Sequence, residues 1–222
     1  MIVIIKQVVK IGGSLFPNYA INLANRLKDT DSCIILGGGE FANLIRKYND
    51  EQKFSEDANH WTAIDCMDIM AKLVNDKVDS ARLAYGIDEA KEISDEGLTP
   101  IFVVSKFLKI EDPFECSWDV TSDSIAAYVA HLLNANLLIV TDVNGIYTQE
   151  PKELGSTFIS KIDATKLLTF QESSVDVMLP NLLLKFGADC YVVNGKYPER
   201  VLSLIDDNVN DYNFDYTQII GD

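Results

Sequence analysis

Hydrophobic and polar positions along the chain form short apolar runs, most of them followed by a segment with helical spacing. The runs are rich in Val and Ile and end in glycine or polar turns, which is typical of buried strands. This pattern predicts strands over residues 1–11, 32–36, 100–104, 136–141, 190–193 and 217–220. It predicts helices over residues 17–28, 40–48, 57–75, 87–96, 121–133, 163–169, 179–186 and 198–205.

The alternation of strands and helices defines the expected fold class. Parallel strands need long crossover connections, and the helices that provide them cover both faces of the sheet. We therefore expect an α/β protein, a three-layer α/β/α sandwich with a mainly parallel central sheet. No repeat, low-complexity tract or linker divides the 222 residues, so a single domain is expected over residues 1–222. Residues 206–216 are polar and acidic, which indicates a solvated loop.

The charge and hydropathy of the chain exclude some classes of partner. Its formal net charge is -15 at pH 7, and it lacks the clusters of Lys and Arg that bind a phosphate backbone, so no nucleic-acid partner is expected. No apolar run reaches the roughly 18 to 20 residues that cross a bilayer, and no cleavable signal region is seen. We therefore expect a cytoplasmic protein without a membrane partner. A phosphate would be bound by backbone N–H groups, a helix N-terminus, one or two lysines and a metal ion.

Glycine turns follow the first two predicted strands. Lys10 precedes the pair Gly12 and Gly13, and Ser14 follows the pair. The second strand ends in residues 37–39, which are all glycine. Glycine lets a backbone approach a phosphate closely, and phosphate sites of open parallel sheets lie at the carboxyl edge. The lysine precedes the glycines, so the segment is neither a G-x-x-x-x-G-K-[ST] loop nor a G-x-G-x-x-G fingerprint. Each turn taken alone is also compatible with a simple tight turn.

Two further polar segments lie at the ends of predicted elements. Thr121, Ser122 and Asp123 stand where the helix over residues 121–133 begins, and such residues commonly cap a helix N-terminus. A capped helix start can also orient an anion or a lysine. Residues 141–147 follow a strand and contain an Asn-Gly pair, a strong turn signal that is equally compatible with a plain loop.

Taken together, these segments resemble the motifs of the amino acid kinase family. The opening motif of the family is similar to residues 9–14, and its second glycine turn is similar to residues 36–39. The start of its central helix is similar to residues 121–127, its nucleotide loop to residues 141–147 with Pro151, and its late turn to residues 194–195. The resemblance covers nearly the whole chain and implies a kinase with ATP and Mg²⁺ as cofactors and a homodimer or larger homo-oligomer as its assembly. It also implies an acceptor-binding lobe over about residues 1–135 and a nucleotide-binding lobe over about residues 136–222.

The resemblance implies roles for single residues. Lys10 would lie against the transferred phosphoryl group, and Asp123 would organise Lys10 as the second catalytic residue. Phosphate-binding residues would be Gly12, Gly13, Ser14, Gly38 and Gly39. Residues that face the nucleotide would be Asp142, Asn144, Gly145, Tyr147 and Lys152. No direct protein ligand of a metal is assigned. Such a reaction depends on alignment of the reacting phosphates and on neutralisation of the developing charge by Lys and Mg²⁺.

One motif of the family is altered in this chain. The family carries a late G-G-M-x-x-K segment whose lysine contacts phosphate, whereas residues 176–181 read DVMLPN and place Asn181 at the lysine position. Lys185 lies one helical turn later and could substitute, although a solvated helix lysine is the alternative. The pattern therefore places only Lys10 at the transferred phosphoryl group.

Residues 60–68 and 117–123 resemble one branch of the family, which phosphorylates a furan-containing phosphomonoester in methanofuran biosynthesis. The resemblance implies a diphosphate product and the acceptor-binding residues His60, Asp65, Asp119, Thr121 and Ser122. On a helix, His60 shares a face with Ile64, so a buried core histidine is the alternative to a phosphate donor. Trp61, Asp65 and Asp68 could bind a furan that carries an ammonium group, or form a solvated acidic edge.

Other functions stay open on the sequence. Another kinase of the family could use isopentenyl phosphate, a nucleoside monophosphate or a carboxylate as its acceptor. A nucleotide-binding or storage protein without catalysis is the alternative from a different class, and Asn181 is the residue that motivates it. A dinucleotide-dependent enzyme is not favoured, because the chain lacks the G-x-G-x-x-G fingerprint.

Overall fold

The computed structural model describes residues 4–149, 151–170, 173–206 and 212–221. Its strands are β1 (Gln7–Ile11), β2 (Ser32–Leu36), β3 (Ala81–Ala84), β4 (Thr99–Phe102), β5 (Asn136–Thr141), β6 (Ile146–Tyr147), β7 (Phe158–Ile159), β8 (Lys161–Asp163), β9 (Cys190–Asn194) and β10 (Thr217–Ile220). Its helices are α1 (Asn18–Arg26), α2 (Gly39–Gln52), α3 (Glu56–Asn75), α4 (Ile87–Asp95), α5 (Val104–Glu111), α6 (Ser122–Leu133), α7 (Ala164–Leu167), α8 (Leu179–Phe186) and α9 (Pro198–Ile205).

The main sheet has the strand order β3-β4-β2-β1-β5-β9-β10-β8. Strand β1 lies inside it and pairs in parallel with β2 on one side and with β5 on the other. The remaining pairs of this sheet are also parallel, except for the antiparallel pair of β9 with β10. Strands β6 and β7 form a separate antiparallel pair. The carboxyl ends of β1, β2, β5 and β9 consequently lie at one edge of the sheet.

Helices cover both faces of the sheet, and the alternation of side chains along β1 determines which face each residue contacts. Val8 packs in a core with residues of α3, α6 and α8. Val9 and Ile11 pack in a second core with residues of α1 and α9. Lys10 follows Val8 by two residues, so its side chain lies on the face that α6 covers. This is why an acidic residue of α6 can meet it.

The predicted α/β/α fold with a mainly parallel sheet is confirmed. The predicted strand over residues 100–104 is wrong at its end, because Val104 is the first residue of α5. The sequence pattern does not predict α5, β3, β8 or the β6–β7 hairpin, all of which are short. Within the predicted helix over residues 163–169, only α7 is formed. Residues 1–3 of the first predicted strand and residues 207–211 of the predicted acidic loop lie outside the described residues.

A helix that crosses a bilayer needs about 20 predominantly apolar residues. In the part of the chain that the structure describes, no helix is both long enough and apolar enough to cross a membrane. The longest one, α3, is a 20-residue helix. It carries acidic residues in its first turn and Lys72 in its last turn.

Candidate active site

Backbone hydrogen bonds join the loops at the carboxyl edge of the sheet. Gly12 donates its N–H to the carbonyl oxygen of Val140 at 2.7 Å, and Gly37 donates to that of Ile11 at 2.9 Å. Gly195 donates in the same way to Thr141 at 2.8 Å. The segments that the sequence analysis singled out after β1, β2, β5 and β9 are therefore held side by side by their own backbones.

The two glycine turns touch at Gly13 and Gly39. A Cβ atom on Gly13 would overlap the backbone of Gly39, and Gly39 has a φ of +57°, which favours glycine. Helix α2 begins at this contact without a side-chain cap. The N-terminal N–H groups of an uncapped helix carry partial positive charge and suit an anion. The arrangement of these glycines therefore matches a phosphate site.

Lys10 and Asp123 form a buried ion pair behind the glycine turns. The Lys10 Nζ lies 2.8 Å from the Asp123 Oδ1, and their side chains are 10% and 6% exposed. Burial raises the pKa of the Asp123 carboxyl above its usual value, the ammonium of Lys10 opposes this shift, and the nearby charge of Asp176 adds to it. The predicted pairing of Lys10 with Asp123 is thus present in the structure.

The carboxylate of Asp176 caps the start of α6. Its Oδ2 accepts hydrogen bonds from the N–H groups of Thr121 and Ser124, both at 3.0 Å, and from the hydroxyl of Thr121 at 2.8 Å. Thr121 occupies the N-cap position but makes no side-chain cap contact of its own. Sequence reasoning missed Asp176, although the available signal was its place at the first glycine of the family's G-G-M-x-x-K motif.

The nucleotide-loop residues border a cavity of about 380 Å³. Its lining includes four of the predicted nucleotide residues together with two serines of the following segment: Asp142, Gly145, Tyr147, Lys152, Ser173 and Ser174. The hydroxyl of Ser14 donates to the Asp142 Oδ1 at 3.0 Å, so the first glycine turn and the nucleotide loop are directly linked. The cavity thus opens beside the glycine turns.

Asn144 belongs to a polar network behind this cavity, and it is not among the lining residues. Its side-chain oxygen accepts from the Nδ2 of Asn194 at 3.0 Å and from Arg200 at 3.4 Å. The Lys196 Nζ donates to the carbonyl oxygen of Asp142 at 3.3 Å. Sequence reasoning did not assign Asn194, Lys196 or Arg200 to the site, because such contacts between separate strand ends have no local signature.

His60 is anchored to the loop that leads into α6. The side chain is buried, and its Nδ1 lies 3.2 Å from the carbonyl oxygen and 3.4 Å from the backbone nitrogen of Ser117. Its ring packs edge-to-face with Trp61 at a centroid distance of 5.3 Å. This environment is that of an anchored core histidine, which was the alternative to a phosphate donor.

The predicted stripe of Trp61, Asp65 and Asp68 is already occupied by groups of the protein. The Lys109 Nζ lies 5.4 Å from the Trp61 ring centroid and 3.5 Å from the Asp65 Oδ1. The interpretation of Asp68 as an acceptor residue is wrong, because its buried carboxylate accepts from the N–H groups of Val104 and Ser105 and from the Ser105 hydroxyl. Asp68 is the cap of α5.

The residues at the entrance to α6 have different environments. Asp119 is exposed, and its N–H donates to the Ser117 hydroxyl at 3.0 Å. Ser122 is buried with its hydroxyl close to Gly37, whereas the hydroxyl of Thr121 is used in the contact with Asp176. Nearby, the Arg46 guanidinium lies 4.8 Å from the ring centroid of Trp118, a contact that sequence reasoning missed.

Lys185 does not reach the glycine turns. It lies in the last turn of α8, exposed beside Phe186, at 5.7 Å from the ring centroid. Phe186 borders a separate cavity with Gln7 and Asn136, which are the first residues of β1 and β5. Lys185 therefore lies near the amino edge of the sheet, opposite Lys10, and the alternative of a solvated helix lysine fits it.

Acidic side chains are the groups of the protein that would bind the predicted Mg²⁺. Among the described residues, no group of three or more His, Cys, Asp or Glu side chains is close enough to hold a metal ion. Mg²⁺ commonly binds through substrate phosphates, waters and one or two carboxylates. The carboxylate of Asp142 lies beside the cavity, is 41% exposed and has the Lys196 Nζ at 3.7 Å, and it fits a metal of this kind.

The sheet edge with its two glycine turns, buried lysine and adjoining cavity defines a phosphoryl-transfer protein. The chain matches the model described as "Amino acid kinase family" over residues 6–185, and it belongs to that family of kinases. It is 36% identical, over 97% of its length, to the [5-(aminomethyl)furan-3-yl]methyl phosphate kinase of Methanocaldococcus jannaschii and covers 98% of that protein.

Solved structures share the fold of the chain. The uridylate kinase of Archaeoglobus fulgidus superposes with a TM-score of 0.73 over 96% of this chain and 99% of its own, at 19% sequence identity. The UMP kinase of Ureaplasma parvum gives a TM-score of 0.74 over 98% and 99%, at 16% identity. At these identities the structures support the fold alone.

Proposed function

We propose that this kinase transfers the γ-phosphoryl group of ATP to a small phosphomonoester and forms a diphosphate. The acceptor that we propose is [5-(aminomethyl)furan-3-yl]methyl phosphate, an intermediate of methanofuran biosynthesis. The observation that carries the proposal is the buried pair of Lys10 and Asp123, which lies behind two touching glycine turns and next to the nucleotide cavity.

The phosphate contacts follow from the glycine turns. We assign the N–H groups of Gly12, Gly13 and Ser14 to one reacting phosphate, and those of Gly38 and Gly39 at the start of α2 to the other. Lys10 then lies at the transferred group, where its charge offsets the negative charge that develops in the transition state. Asp123 holds the ammonium in place at 2.8 Å and so limits the number of positions that it can adopt.

The bond changes require little acid or base help from the protein. An oxygen of the acceptor phosphate forms a bond to the γ-phosphorus, and the bond from that phosphorus to the β-phosphate oxygen breaks, so that ADP leaves with the bonding electrons. A phosphate monoester has a second pKa near 6, and its oxygen is therefore already anionic at pH 7. We accordingly assign no general base, and Asp123 acts on Lys10 alone.

Mg²⁺ supplies charge neutralisation to the phosphates of ATP when it is bound. We propose that Asp142 assists in holding it, alone among the acidic groups of the nucleotide loop. Asn144 shapes the loop from behind, while Gly145, Tyr147 and Lys152 border the nucleotide cavity. The protein contribution is then mainly orientation of the two substrates.

The acceptor assignment is supported by the relative with 36% identity and by the loop before α6. The exposed carboxylate of Asp119 suits the ammonium group of an aminomethylfuran, and Trp118 provides an aromatic surface beside Arg46. The hydroxyl of Ser122 at the start of α6 lies next to the glycine turn of β2, and Thr121 directly precedes it. Asp65 would join them only after release from Lys109.

The test is a turnover assay with purified protein, ATP and Mg²⁺. We expect ADP and a furan diphosphate from the aminomethylfuran phosphate, detected by mass spectrometry and by ³¹P NMR. A nucleoside monophosphate is the second candidate acceptor, because a uridylate kinase of Methanothrix thermoacetophila is 26% identical over 85% of this chain. Preferential turnover of UMP or isopentenyl phosphate would refute the furan acceptor, and no turnover of any phosphomonoester would leave only nucleotide binding.

An apolar surface on α2 and α3 supports self-association. Its side chains are large and between 40% and 46% exposed, and they recur at helical spacing: Phe41, Leu44, Tyr48, Ile69 and Leu73. We propose a homodimer or larger homo-oligomer that buries this surface. The division into an acceptor lobe over about residues 1–135 and a nucleotide lobe over about residues 136–222, and a cytoplasmic location, likewise stay proposals.

A further inference from the structure

The carboxylate of Asp176 joins the starts of two helices. On one side, its Oδ2 accepts from the backbone of Thr121 and Ser124 at the start of α6. On the other side, its Oδ1 accepts from the Ser124 hydroxyl at 2.5 Å and from the N–H of Leu179 at 2.7 Å, where α8 begins. Both oxygens are thus used by donors, and the N-termini of α6 and α8 are fixed relative to each other.

The same residue also contacts the buried ion pair. The backbone N–H of Asp176 donates to the Asp123 Oδ2 at 3.1 Å, while the Asp123 Oδ1 faces the Lys10 Nζ at 2.8 Å. Asp123 is therefore held from one side by Lys10 and from the other by the Asp176 backbone. The side chain of Asp176 fixes the segment to which that N–H belongs.

Only a carboxylate suits this position. Its two oxygens accept on both sides, and hydrogen bonds to an ionised acceptor are stronger than neutral ones. An amide of the same shape has an NH₂ group on one side, which would face the N–H donors of either α6 or α8. A glycine, which the family motif has at this position, could make none of these side-chain contacts.

We propose that Asp176 is a positioning residue of the phosphoryl-transfer site. It holds the start of α6 and, through its backbone, the Asp123 carboxylate that orients Lys10. The inference rests on the function proposed for Lys10 and Asp123. It also accounts for the altered motif in physical terms: the chain lacks the second phosphate lysine and instead fixes the position of the first through an added carboxylate.

The test compares Asp176→Asn with Asp68→Asn. Asp68 is a matched control, because its carboxylate caps α5 through the N–H groups of Val104 and Ser105 at 2.9 and 3.2 Å. We expect Asp176→Asn to lower kcat by about 10- to 100-fold, as a small misplacement of a reacting group does, with the KM for ATP and acceptor changed less than about 3-fold. Asp68→Asn should lower Tm without changing kcat of the folded protein.

A measurement without substrate separates this inference from the proposed function. In the wild type, the amide of position 176 is bonded to Asp123, so its hydrogen exchange should be slow. We expect this exchange to be faster by about 10-fold or more in Asp176→Asn and unchanged in Asp68→Asn. If the wild type phosphorylates no acceptor, the proposed function fails, and the exchange rate alone decides whether Asp176 holds this contact.

A second variant keeps the test decisive if Asp176→Asn does not fold. Ser124→Ala removes the hydroxyl donor to Asp176, and Ser94→Ala is its control, since Ser94 is a buried serine of α4. We expect Ser124→Ala to lower kcat several-fold and Ser94→Ala to leave it unchanged. An unaltered kcat together with unaltered exchange at position 176, in whichever variant folds, overturns the positioning role.

Discussion

Gly13 and Gly39 lie so close together that a methyl group on the first would overlap the backbone of the second. The turn after β1 and the start of α2 therefore meet backbone to backbone. We predict that Gly13→Ala forces the turns apart, lowers the free energy of unfolding by about 1–3 kcal/mol as overpacking does, and abolishes most turnover. Urea denaturation and the ADP-release assay measure both effects. Gly86→Ala is the control, because nothing lies within 4 Å of the added methyl group.

Replacement of Lys10 tests the role that we assign to its positive charge at the transferred phosphoryl group. Lys10→Ala should reduce kcat by about 10²- to 10³-fold, the range found when one preorganised donor is removed from a transition state. Lys185→Ala should leave kcat unchanged, because Lys185 is exposed in the last turn of α8. Equal activity of the two variants would contradict the role of Lys10. A thermal melt of each establishes that the lysine variants are folded.

The raised pKa of Asp123 predicts opposite pH trends for activity and stability. Activity should fall as pH decreases through this raised pKa, because protonated Asp123 no longer holds Lys10 by charge. Stability changes in the opposite direction. A carboxyl whose pKa is raised by folding favours the folded state when it is protonated, so its contribution is fully present below the unfolded pKa of about 3.9 and is lost as pH rises through the folded pKa. The Tm of the wild type minus the Tm of Asp123→Asn should therefore fall as pH rises across this window. A rise of this signed difference with pH would contradict the raised pKa.

The hydroxyl of Thr217 holds the nucleotide loop through two hydrogen bonds. It accepts from the N–H of Ile146 at 2.8 Å and donates to the carbonyl oxygen of Ile159 at 2.5 Å. Thr217→Val keeps the shape but leaves these buried groups unpaired, so we expect a loss of about 1–3 kcal/mol in stability and weaker ATP binding by calorimetry. Thr99→Val, at another buried threonine, should leave ATP affinity unchanged. Equal ATP affinity of the two variants would show that the loop does not depend on Thr217.

The apolar surface of α2 and α3 predicts the effect of a charge on assembly. Leu44→Lys should shift the protein toward monomer in light scattering coupled to size exclusion, because it puts a charge on α2 between Phe41 and Tyr48 of this surface. Ile110→Lys places the same charge on α5, at a side chain that is 73% exposed. That variant should keep the wild-type mass. If both variants and the wild type have the same mass, this surface is not the interface.

Some of the site could be predicted because its signals are local. Lys10 stands at the end of an apolar run before two glycines, and Asp123 stands at the start of an apolar helix. Strand ends of a parallel sheet meet at one edge, so the order of such segments along the chain is enough to bring them together. The main helices and strands were predictable for the same reason, since each buries a periodic set of residues.

Other parts of the site could not be predicted, because they depend on contacts between distant segments. The helical pattern groups Asp68 with Trp61 and Asp65, but only the path of the chain after β4 makes Asp68 a cap of α5. Asp176 lies 52 residues from Ser124, and nothing in the intervening sequence indicates that they meet. The antiparallel insertion of β10 between β9 and β8 is equally non-local.

That insertion constrains the order in which the protein can assemble. Strand β8 pairs with β10, and β10 pairs with β9, so β8 has no place in the sheet until β10 has been added. We therefore expect a refolding chain to gain its affinity for nucleotide only after β10 has joined the sheet, since Thr217 of β10 completes the nucleotide loop.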